Sequence, residues 1–348
     1  MQTKTAATKS ERTTNDSTHS PWIDNEVGGC HFKDVRLAKR FGKLLGMMSA
    51  GIGKSIPYAC QDWANTKAAY RFFANEEVSE DQIMAGHFQA TRGRLARTDQ
   101  KILMLHDTCE FSFQRAKDSK IGILSRPACG KDKDGRLKHF TVRGILMHSS
   151  LAVTLDGLPL GLAAIKFWSR KQFKGCDALK RKINPTRVPI EEKESFRWLE
   201  NLRQATALTS DPRDCVHIGD RESDIFELFS LADELGTNFL VRTCVNRLAE
   251  DAGTTVAAAM KKAPVKGRHR IQGQNKQGES YEADLDIKYE PLQVLPPKGK
   301  WKNYTDLTLV SSRIFVVSPV SSSALSGLLR RVDPVKFMTQ IALENSSG

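Results

Sequence analysis

Two apolar runs that each end in an aspartate decide the fold of this chain: residues 102–108, ILMLHDT, and residues 216–224, VHIGDRESD. Each run is typical of a buried strand that brings a carboxylate, Asp107 or Asp220, to the edge of a sheet. Two carboxylates at one edge can hold divalent metal ions, which clamp the attacking and leaving oxygens of a phosphodiester. The runs therefore predict a metal-dependent phosphoryl-transfer site. A third acidic position with comparable context does not follow before residue 348.

The segments around these runs predict a mixed α/β sheet. Apolar runs indicate strands and longer periodic segments indicate helices, and Asp156-Gly157 is a strong hairpin-turn signal. The predicted strands are 101–109, 140–155, 158–168, 214–219 and 238–243, and the predicted helices are 190–208 and 222–235. A polar, basic loop is expected between the first strand and about residue 138. The order of these elements is that of a mixed sheet with Asp107 and Asp220 at strand C-terminal ends.

The segment before the sheet has the pattern of a small, basic, all-helical module. Apolar residues recur at three-and-four spacing through 35–48 with basic residues between them. Further helices are expected at 60–73 and 79–97, the second with a capping box formed by Ser79 and Gln82.

Composition changes along the chain predict five regions. Residues 1–20 are expected to be disordered, 21–100 to form the helical domain, and 101–243 to form the α/β core. Residues 244–310 are expected to be a β-rich insertion. Residues 311–348, in which nine of 38 residues are serine, are expected to be irregular.

The charge balance favours a polyanionic partner. The 348 residues include 53 lysines and arginines against 40 acids, a net charge of +13 with a pI of about 9.4. Nucleic acid is the commonest partner for such an excess. Seven scattered cysteines without C-x-x-C spacing are typical of reduced cytoplasmic thiols. No segment has the pattern of a signal peptide or a membrane span, because the most apolar region, 144–168, is interrupted by polar and turn residues.

Two other phosphate-binding patterns fit less well. Residues 51–55, GIGKS, end like a P-loop but lack its first glycine and a preceding strand. Asp220 and Asp224 have the spacing of haloacid-dehalogenase-like phosphatases. That family also needs a second aspartate two residues after Asp107, where this chain has Cys109. The phosphatase remains an outside alternative.

The run Asp220-Arg221-Glu222-Ser223-Asp224 resembles the D-R-E-[AS]-D signature of bacterial transposases of the insertion sequence 4 class, the Tn-five-like DDE group. Other blocks resemble that family in the same order, from about residue 25 to 310. They are Asp34-x-Arg36-Leu37-x-x-Arg40, Gly53-Lys54-Ser55-Ile56-Pro57, Ala69-Tyr70-Arg71-Phe72, His106-Asp107-Thr108, Lys166-Phe167-Trp168-Ser169-Arg170 and Phe239-Leu240-Val241-Arg242.

The resemblance implies an RNase H-like catalytic core that uses Mg²⁺, for which Mn²⁺ can substitute, preceded by a helical domain that binds transposon ends. It implies that Asp107 and Asp220 are metal-ligating catalytic carboxylates. Arg36, Arg40, Lys54 and Arg71 would contact double-stranded DNA of the terminal repeats, and Arg242 would contact DNA near the active site. The presence of Arg36 and Lys54 is explained equally well by a basic helix face that is exposed to solvent and does not contact DNA. The resemblance further implies a homodimeric complex in intact relatives and a cytoplasmic, nucleoid-associated location.

The resemblance stops after about residue 309. Family members carry their third catalytic carboxylate, a glutamate, in a later helix, whereas Glu344 here lacks the flanking Tyr and Arg of that signature. The expectation is a truncated or frameshifted copy that binds DNA but does not cut it. Two alternatives stay open: a repressor that occupies transposon ends, and a remnant that does not fold because apolar sheet surface is left uncovered.

Overall fold

A computed structural model describes residues 20–113, 121–131, 133–170, 188–250, 252–274, 278–300, 304–319 and 335–340. The chain divides into two compact units, one up to Ala90 and the other from Thr91. The division after Ala90 lies earlier in the chain than residue 100, where the helical domain was predicted to end. The last turn of the helix that crosses it packs within the second unit, since Leu95 is buried and Arg94 donates to the carbonyl of Leu160.

The first unit is helical, as predicted. Its helices are α1 (Pro21–Gly28), α2 (Val35–Ala50), α3 (Ile56–Cys60), α4 (Trp63–Phe73) and α5 (Glu80–Leu95). The last turn of α5 belongs to the second unit. The three predicted helices correspond to α2, α4 and α5. The short helices α1 and α3 were not predicted, because five to eight residues show too little periodicity for detection.

Local capping explains where the helices of this unit begin. The carboxylate of Asp34 accepts from the Arg36 amide at 2.8 Å, and the carboxylate of Asp62 accepts from the Asn65 amide at 2.7 Å. The predicted capping box is confirmed. The Ser79 amide donates to Gln82 Oε1 at 2.9 Å, and the Gln82 amide donates to Ser79 Oγ at 3.2 Å.

Three phenylalanines hold α2 and α4 together. The rings of Phe41 and Phe72 stack with centroids 5.8 Å apart, and Phe32 meets both rings edge-on. Leu44 and Ala69, each only 1% exposed, complete the centre of this core. This core packing fixes α2 relative to α4. It therefore also fixes the distances between the polar side chains that the two helices carry outside the core.

The second unit is a mixed α/β structure. Its helices are α6 (Phe196–Thr206), α7 (Phe226–Leu235) and α8 (Val256–Lys262). Its strands are β1 (Ile102–Phe113), β2 (Ile123–Ser125), β3 (Ala128–Lys131), β4 (Leu137–His139), β5 (Val142–Val153), β6 (Pro159–Trp168), β7 (Cys215–Gly219), β8 (Asn238–Arg242), β9 (Leu248–Ala249), β10 (Thr254–Thr255), β11 (Gly267–Gln274), β12 (Ser280–Val294), β13 (Leu307–Pro319) and β14 (Val335–Gln340). In the described part of the chain, no helix combines the length and the apolar character needed to cross a membrane.

Among the described residues, the strands that carry the predicted site are five neighbouring members of a twelve-stranded sheet. Their spatial order is β6-β5-β1-β7-β8, in which β5 is antiparallel to β6 and β1, and β7 is parallel to both β1 and β8. The sheet continues from β8 through β14, β13 and β12. The predicted strands and the hairpin between β5 and β6 are confirmed, and Gly157 takes a φ of +83° in that turn.

Three sequence expectations differ from the structure. The first predicted strand continues past Asp107 to Phe113, because its antiparallel pairing with β5 extends to Phe113–Arg143. The loop expected up to residue 138 contains β2, β3 and β4. The tail expected to be irregular supplies the end of β13 and all of β14, and β14 pairs with β8. Pairing with distant segments explains the length of β1 and the presence of β14, and local periodicity does not indicate any of these strands.

One face of these five strands packs on α6 and α7. Fully buried aromatic residues form the centre of this layer, with Phe229 stacked on Phe239 at 4.8 Å and Trp198 only 2% exposed. Buried side chains alternate along β1, where Met104 is 0% exposed and Leu105 is 37% exposed. Asp107 therefore lies on the opposite, more exposed face from this core.

A buried chain of hydrogen bonds ties the central strands together. Thr206 Oγ1 donates to the Leu202 carbonyl, so it accepts from His217 Nε2 at 3.0 Å. His217 Nδ1 must then accept from His106 Nε2 at 2.8 Å, and His106 Nδ1 accepts from Ser150 Oγ at 2.8 Å. This order assigns one neutral tautomer to each ring. The chain joins β5, β1, β7 and α6 immediately before Asp107.

These rings are expected to make stability depend on pH. Burial lowers the pKa of His106 to about 3, and burial also lowers the pKa of His217 far below its usual value. The unfolded state therefore binds protons below about pH 6.5 that the folded state excludes, so folding stability falls as pH falls. Each such histidine contributes about 1.4 kcal/mol per pH unit in that range.

We expect the free energy of unfolding, measured by urea titration, to fall between about pH 6.5 and pH 5. His106→Gln should lower stability near pH 7.5 but flatten this pH dependence, because one titrating group is removed. His269→Gln is the control, since His269 is exposed on β11. An unchanged pH slope in His106→Gln would contradict the prediction.

Candidate functional site

The parallel register of three strands brings the segments of the predicted active-site residues close together. Leu105 of β1 pairs with Ile218 of β7, which pairs in turn with Leu240 of β8. Two positions beyond these partners come Asp107, Asp220 and Arg242. Residues at equal register on neighbouring parallel strands lie roughly 5 Å apart and on the same face. Asp107 and Asp220, more than one hundred residues apart in the sequence, and Arg242 therefore lie at or just beyond the C-terminal end of the same paired region of the sheet.

Both carboxylates are exposed and anchored through one oxygen. Asp107 Oδ1 accepts from the Thr108 amide at 2.7 Å, and Asp220 Oδ1 accepts from the Glu222 amide at 2.9 Å. The second of these bonds caps the 3-10 turn Arg221–Ser223. Each aspartate thus has a fixed orientation, and a second oxygen that can serve as a ligand.

Close packing at Gly219 fixes the position of Asp220. A Cβ added to Gly219 would lie 2.2 Å from Ser223 Oγ and 3.2 Å from Trp198 Cζ3. Ser223 Oγ also donates to the Asp220 carbonyl at 2.7 Å. Only glycine allows the strand to turn this tightly into the Arg221–Ser223 turn.

The acid pair fits a hard cation. Mg²⁺ is commonly held by one or two carboxylates, with water and substrate phosphates completing its coordination. Among the described residues, no group of three or more His, Cys, Asp or Glu side chains could hold a metal ion. Glu344 lies outside the described residues. Asp107 and Asp220 therefore have no third ligand of these types among the described residues, and two carboxylates alone would bind such an ion weakly.

The second aspartate of the D-R-E-S-D run has a structural role. The Asp224 side chain is 0% exposed and forms an ion pair with Arg247. Its Oδ2 accepts from the amides of Cys244 and Val245 at 2.6 and 2.7 Å. This carboxylate anchors the chain that follows β8 and is inaccessible to solvent. Its burial argues against a phosphatase site of the haloacid-dehalogenase type, which would need Asp224 at the metal.

In the helical unit, the polar faces of α2 and α4 form a basic groove. Four cations line it, namely Arg36, Arg40, Lys67 and Arg71. Asp34 is the one carboxylate among the lining residues, and its ion pair with Arg36 at 2.8 Å partly neutralises both groups. The hydrogen bond from the Arg36 side chain lowers the pKa of Asp34, which keeps that pair charged. The groove therefore retains a positive charge with the spacing set by the Phe41–Phe72 stack.

The structure separates Lys54 from this groove. Lys54 follows α2 in an exposed turn, where its ammonium group lies 5.5 Å from the centre of the Tyr58 ring. Trp63 and Tyr70, which are 77% and 52% exposed, lie on α4 beside Lys67 and Arg71. Exposed aromatic rings interleaved with cations are typical of nucleic-acid surfaces.

Two residues of these sites were not predicted from the sequence. Lys67 stands one helical turn before Arg71 on α4, so its position in the helical pattern could have identified it. Arg197 of α6 contacts Thr108 beside Asp107 and Glu222 beside Asp220. These partners are 89 and 25 residues away in the chain, so local sequence offered no signal for Arg197.

Comparison with protein families supports the assignment of the helical unit. No curated protein matches the chain. Residues 19–78 match the family described as Transposase DNA-binding. The matched range contains α1 to α4 and all four cations of the basic groove. The chain therefore carries a transposase DNA-binding domain in residues 19–78.

Proposed function

We propose that this chain is a transposase of the insertion sequence 4 class by descent, which binds the terminal repeats of its element as double-stranded DNA. The observation that carries the proposal is the match of residues 19–78 to a transposase DNA-binding domain. The basic groove formed by Arg36, Arg40, Lys67 and Arg71 lies within that range. The net charge of +13 suits the same polyanionic partner.

The basic groove supplies the contacts expected of backbone binding. Lysine and arginine side chains neutralise phosphates and release condensed counterions, so affinity becomes strongly dependent on salt. Arginine is suited to this role because its planar fork can donate two parallel hydrogen bonds to one phosphate. Sequence discrimination requires further contacts to base edges, for which the exposed side chains of α4 are candidates.

The second unit supports a proposal for an RNase H-like catalytic core. It has a mixed β6-β5-β1-β7-β8 sheet, in which Asp107 and Asp220 each lie two residues beyond Leu105–Ile218, the last pair between β1 and β7. These two residues would hold Mg²⁺, or Mn²⁺ in its place, which when bound supplies Lewis-acid activation for phosphoryl transfer. Arg242, the last residue of β8, would bind a phosphate of the DNA near the acids. Asp107 and Asp220 keep their orientation through the Thr108 and Glu222 amides.

A second candidate function is a repressor that occupies the ends without cutting them. It is favoured by the acid pair, which lacks a third His, Cys, Asp or Glu partner among the described residues. Loss of one essential catalytic group typically lowers rates about a thousandfold or more. Such a protein would compete with intact transposase for the same terminal repeats.

Substitutions in the basic groove should weaken DNA binding. Arg71→Ala and Lys67→Ala each remove one proposed phosphate contact, so the slope of log affinity against log salt should fall by about one. Binding is measured by fluorescence anisotropy on a duplex carrying the element's terminal repeat, with a scrambled duplex in parallel. Arg268→Ala is the matched control, because Arg268 is an exposed arginine on β11 outside the groove.

The same titration distinguishes specific from general binding. Tighter binding to the terminal repeat than to the scrambled duplex supports recognition of transposon ends. Equal binding to both duplexes would sink the end-recognition proposal. If the slope of log affinity against log salt is unchanged in both groove variants, the DNA interface lies outside the basic groove.

Cleavage of the terminal-repeat duplex should be absent or very slow. We expect no nicking above the level of Asp107→Ala with Mg²⁺ or Mn²⁺, together with a specific gel shift on the same duplex. Nicking that disappears in Asp107→Ala would instead show that the site is complete. Glu344→Gln would then test whether Glu344 supplies the third ligand.

A further inference from the structure

The contacts of Arg197 connect the two segments that carry the acid pair. Arg197 Nε donates to Thr108 Oγ1 at 3.3 Å, and Arg197 Nη2 donates to Glu222 Oε2 at 2.5 Å. Thr108 directly follows Asp107, and its amide binds that carboxylate. The Glu222 amide binds the carboxylate of Asp220. One guanidinium therefore contacts both residues whose amides orient the acids.

The position of this guanidinium is fixed from several sides. The Arg197 side chain is 10% exposed, and its guanidinium carbon lies 5.3 Å from the Trp168 ring centre and 5.9 Å from that of Trp198. Its Nη1 donates to the Glu194 carbonyl at 2.9 Å. A largely buried cation that lies near two indole rings and is bound by three acceptors has little freedom to reorient.

The charge environment keeps Arg197 at this place. Burial lowers the pKa of Arg197, whereas Glu222 and Glu194 raise it. Arginine remains protonated in proteins under all ordinary conditions. A buried guanidinium needs hydrogen-bond acceptors, which Thr108, Glu222 and the Glu194 carbonyl supply.

Resting on the proposed function, we infer that Arg197 is a positioning residue, which clamps β1 to the Arg221–Ser223 turn and sets the spacing of Asp107 and Asp220 for a divalent cation. The His106–His217 bond ties the same two strands one residue before Asp107. Arg197 provides the tie one residue after it. The acid pair thus lies between two cross-strand connections, and only the second contacts the residues that orient both carboxylates.

Two possible roles of Arg197, one through its charge and one through its contacts, predict opposite effects of its substitution on metal affinity. A nearby cation repels a divalent ion, so Arg197→Gln should tighten metal binding if Arg197 acted only through its charge. If Arg197 sets the geometry, Arg197→Gln should weaken Mn²⁺ affinity about tenfold or more, as is usual for residues that orient metal ligands. Arg197→Lys should weaken it too, because an ammonium group cannot bridge both acceptors in this geometry.

Mn²⁺ binding is measured by loss of the free-ion electron paramagnetic resonance signal on the full chain without DNA. Asp107→Asn tests the proposed metal site itself, and Arg268→Gln is the matched arginine control. Weaker binding in both Arg197 variants, with Arg268→Gln unchanged, supports the inference. Equal or tighter binding in Arg197→Gln, or unchanged binding in Arg197→Lys, overturns it.

A second measurement examines the clamp without any metal. Thr108→Val and Glu222→Gln should have non-additive effects on the melting temperature when Arg197 is present and additive effects in Arg197→Gln. Thr108→Val also removes the hydrogen bond between Thr108 Oγ1 and His148 Nδ1. This loss is the same with Glu222 or Gln at position 222, so it does not contribute to the non-additivity. Additivity in the unaltered chain would overturn the inference. Lack of Mn²⁺ binding by the unaltered chain would instead refute the proposed metal site, and the clamp would then be judged by this cycle.

Discussion

The parallel register of β1 against β7 is the constraint on which the site depends. Leu105 lies opposite Ile218, so the aspartates two residues further on come to the same level of the sheet. A slip of one residue would turn Asp107 toward the buried face, where Met104 and His106 lie. The 2.8 Å bond between His106 and His217 opposes such a slip, because both rings are buried and their polar atoms have no access to water.

The helical unit carries a positively charged groove between two helices, and the α/β unit carries a negatively charged acid pair on neighbouring strands. In the helical unit, an aromatic core of Phe32, Phe41 and Phe72 holds two helices so that cations from both line one groove. In the α/β unit, strand pairing brings Asp107 and Asp220 together despite their mutual repulsion. Backbone amides of Thr108 and Glu222 offset part of that repulsion. The proposed phosphate-binding groove and the proposed cation-binding acid pair thus lie in separate units.

Much of the secondary structure could be predicted because its signals are local. The capping box at Ser79 and Gln82 and the turn at Asp156-Gly157 each depend on residues within a few positions of one another. The full length of β1 and the strand β14 could not be predicted, because their partners are distant in the chain. The burial of Asp224 was also missed, since its partner Arg247 lies outside the motif.

The sequence by itself determined the helical and α/β halves, the basic character of the first, and the two aspartates at the ends of apolar runs. Periodicity, turn chemistry and charge are properties of short segments, so they can be read without a fold. Only the tertiary structure decided that Asp107, Asp220 and Arg242 follow the same run of paired residues, that Lys67 joins the groove while Lys54 does not, and that Arg197 bridges the acid segments. These relations depend on strand pairing and helix packing between distant residues, which side-chain burial and hydrogen-bond satisfaction select in the folded chain.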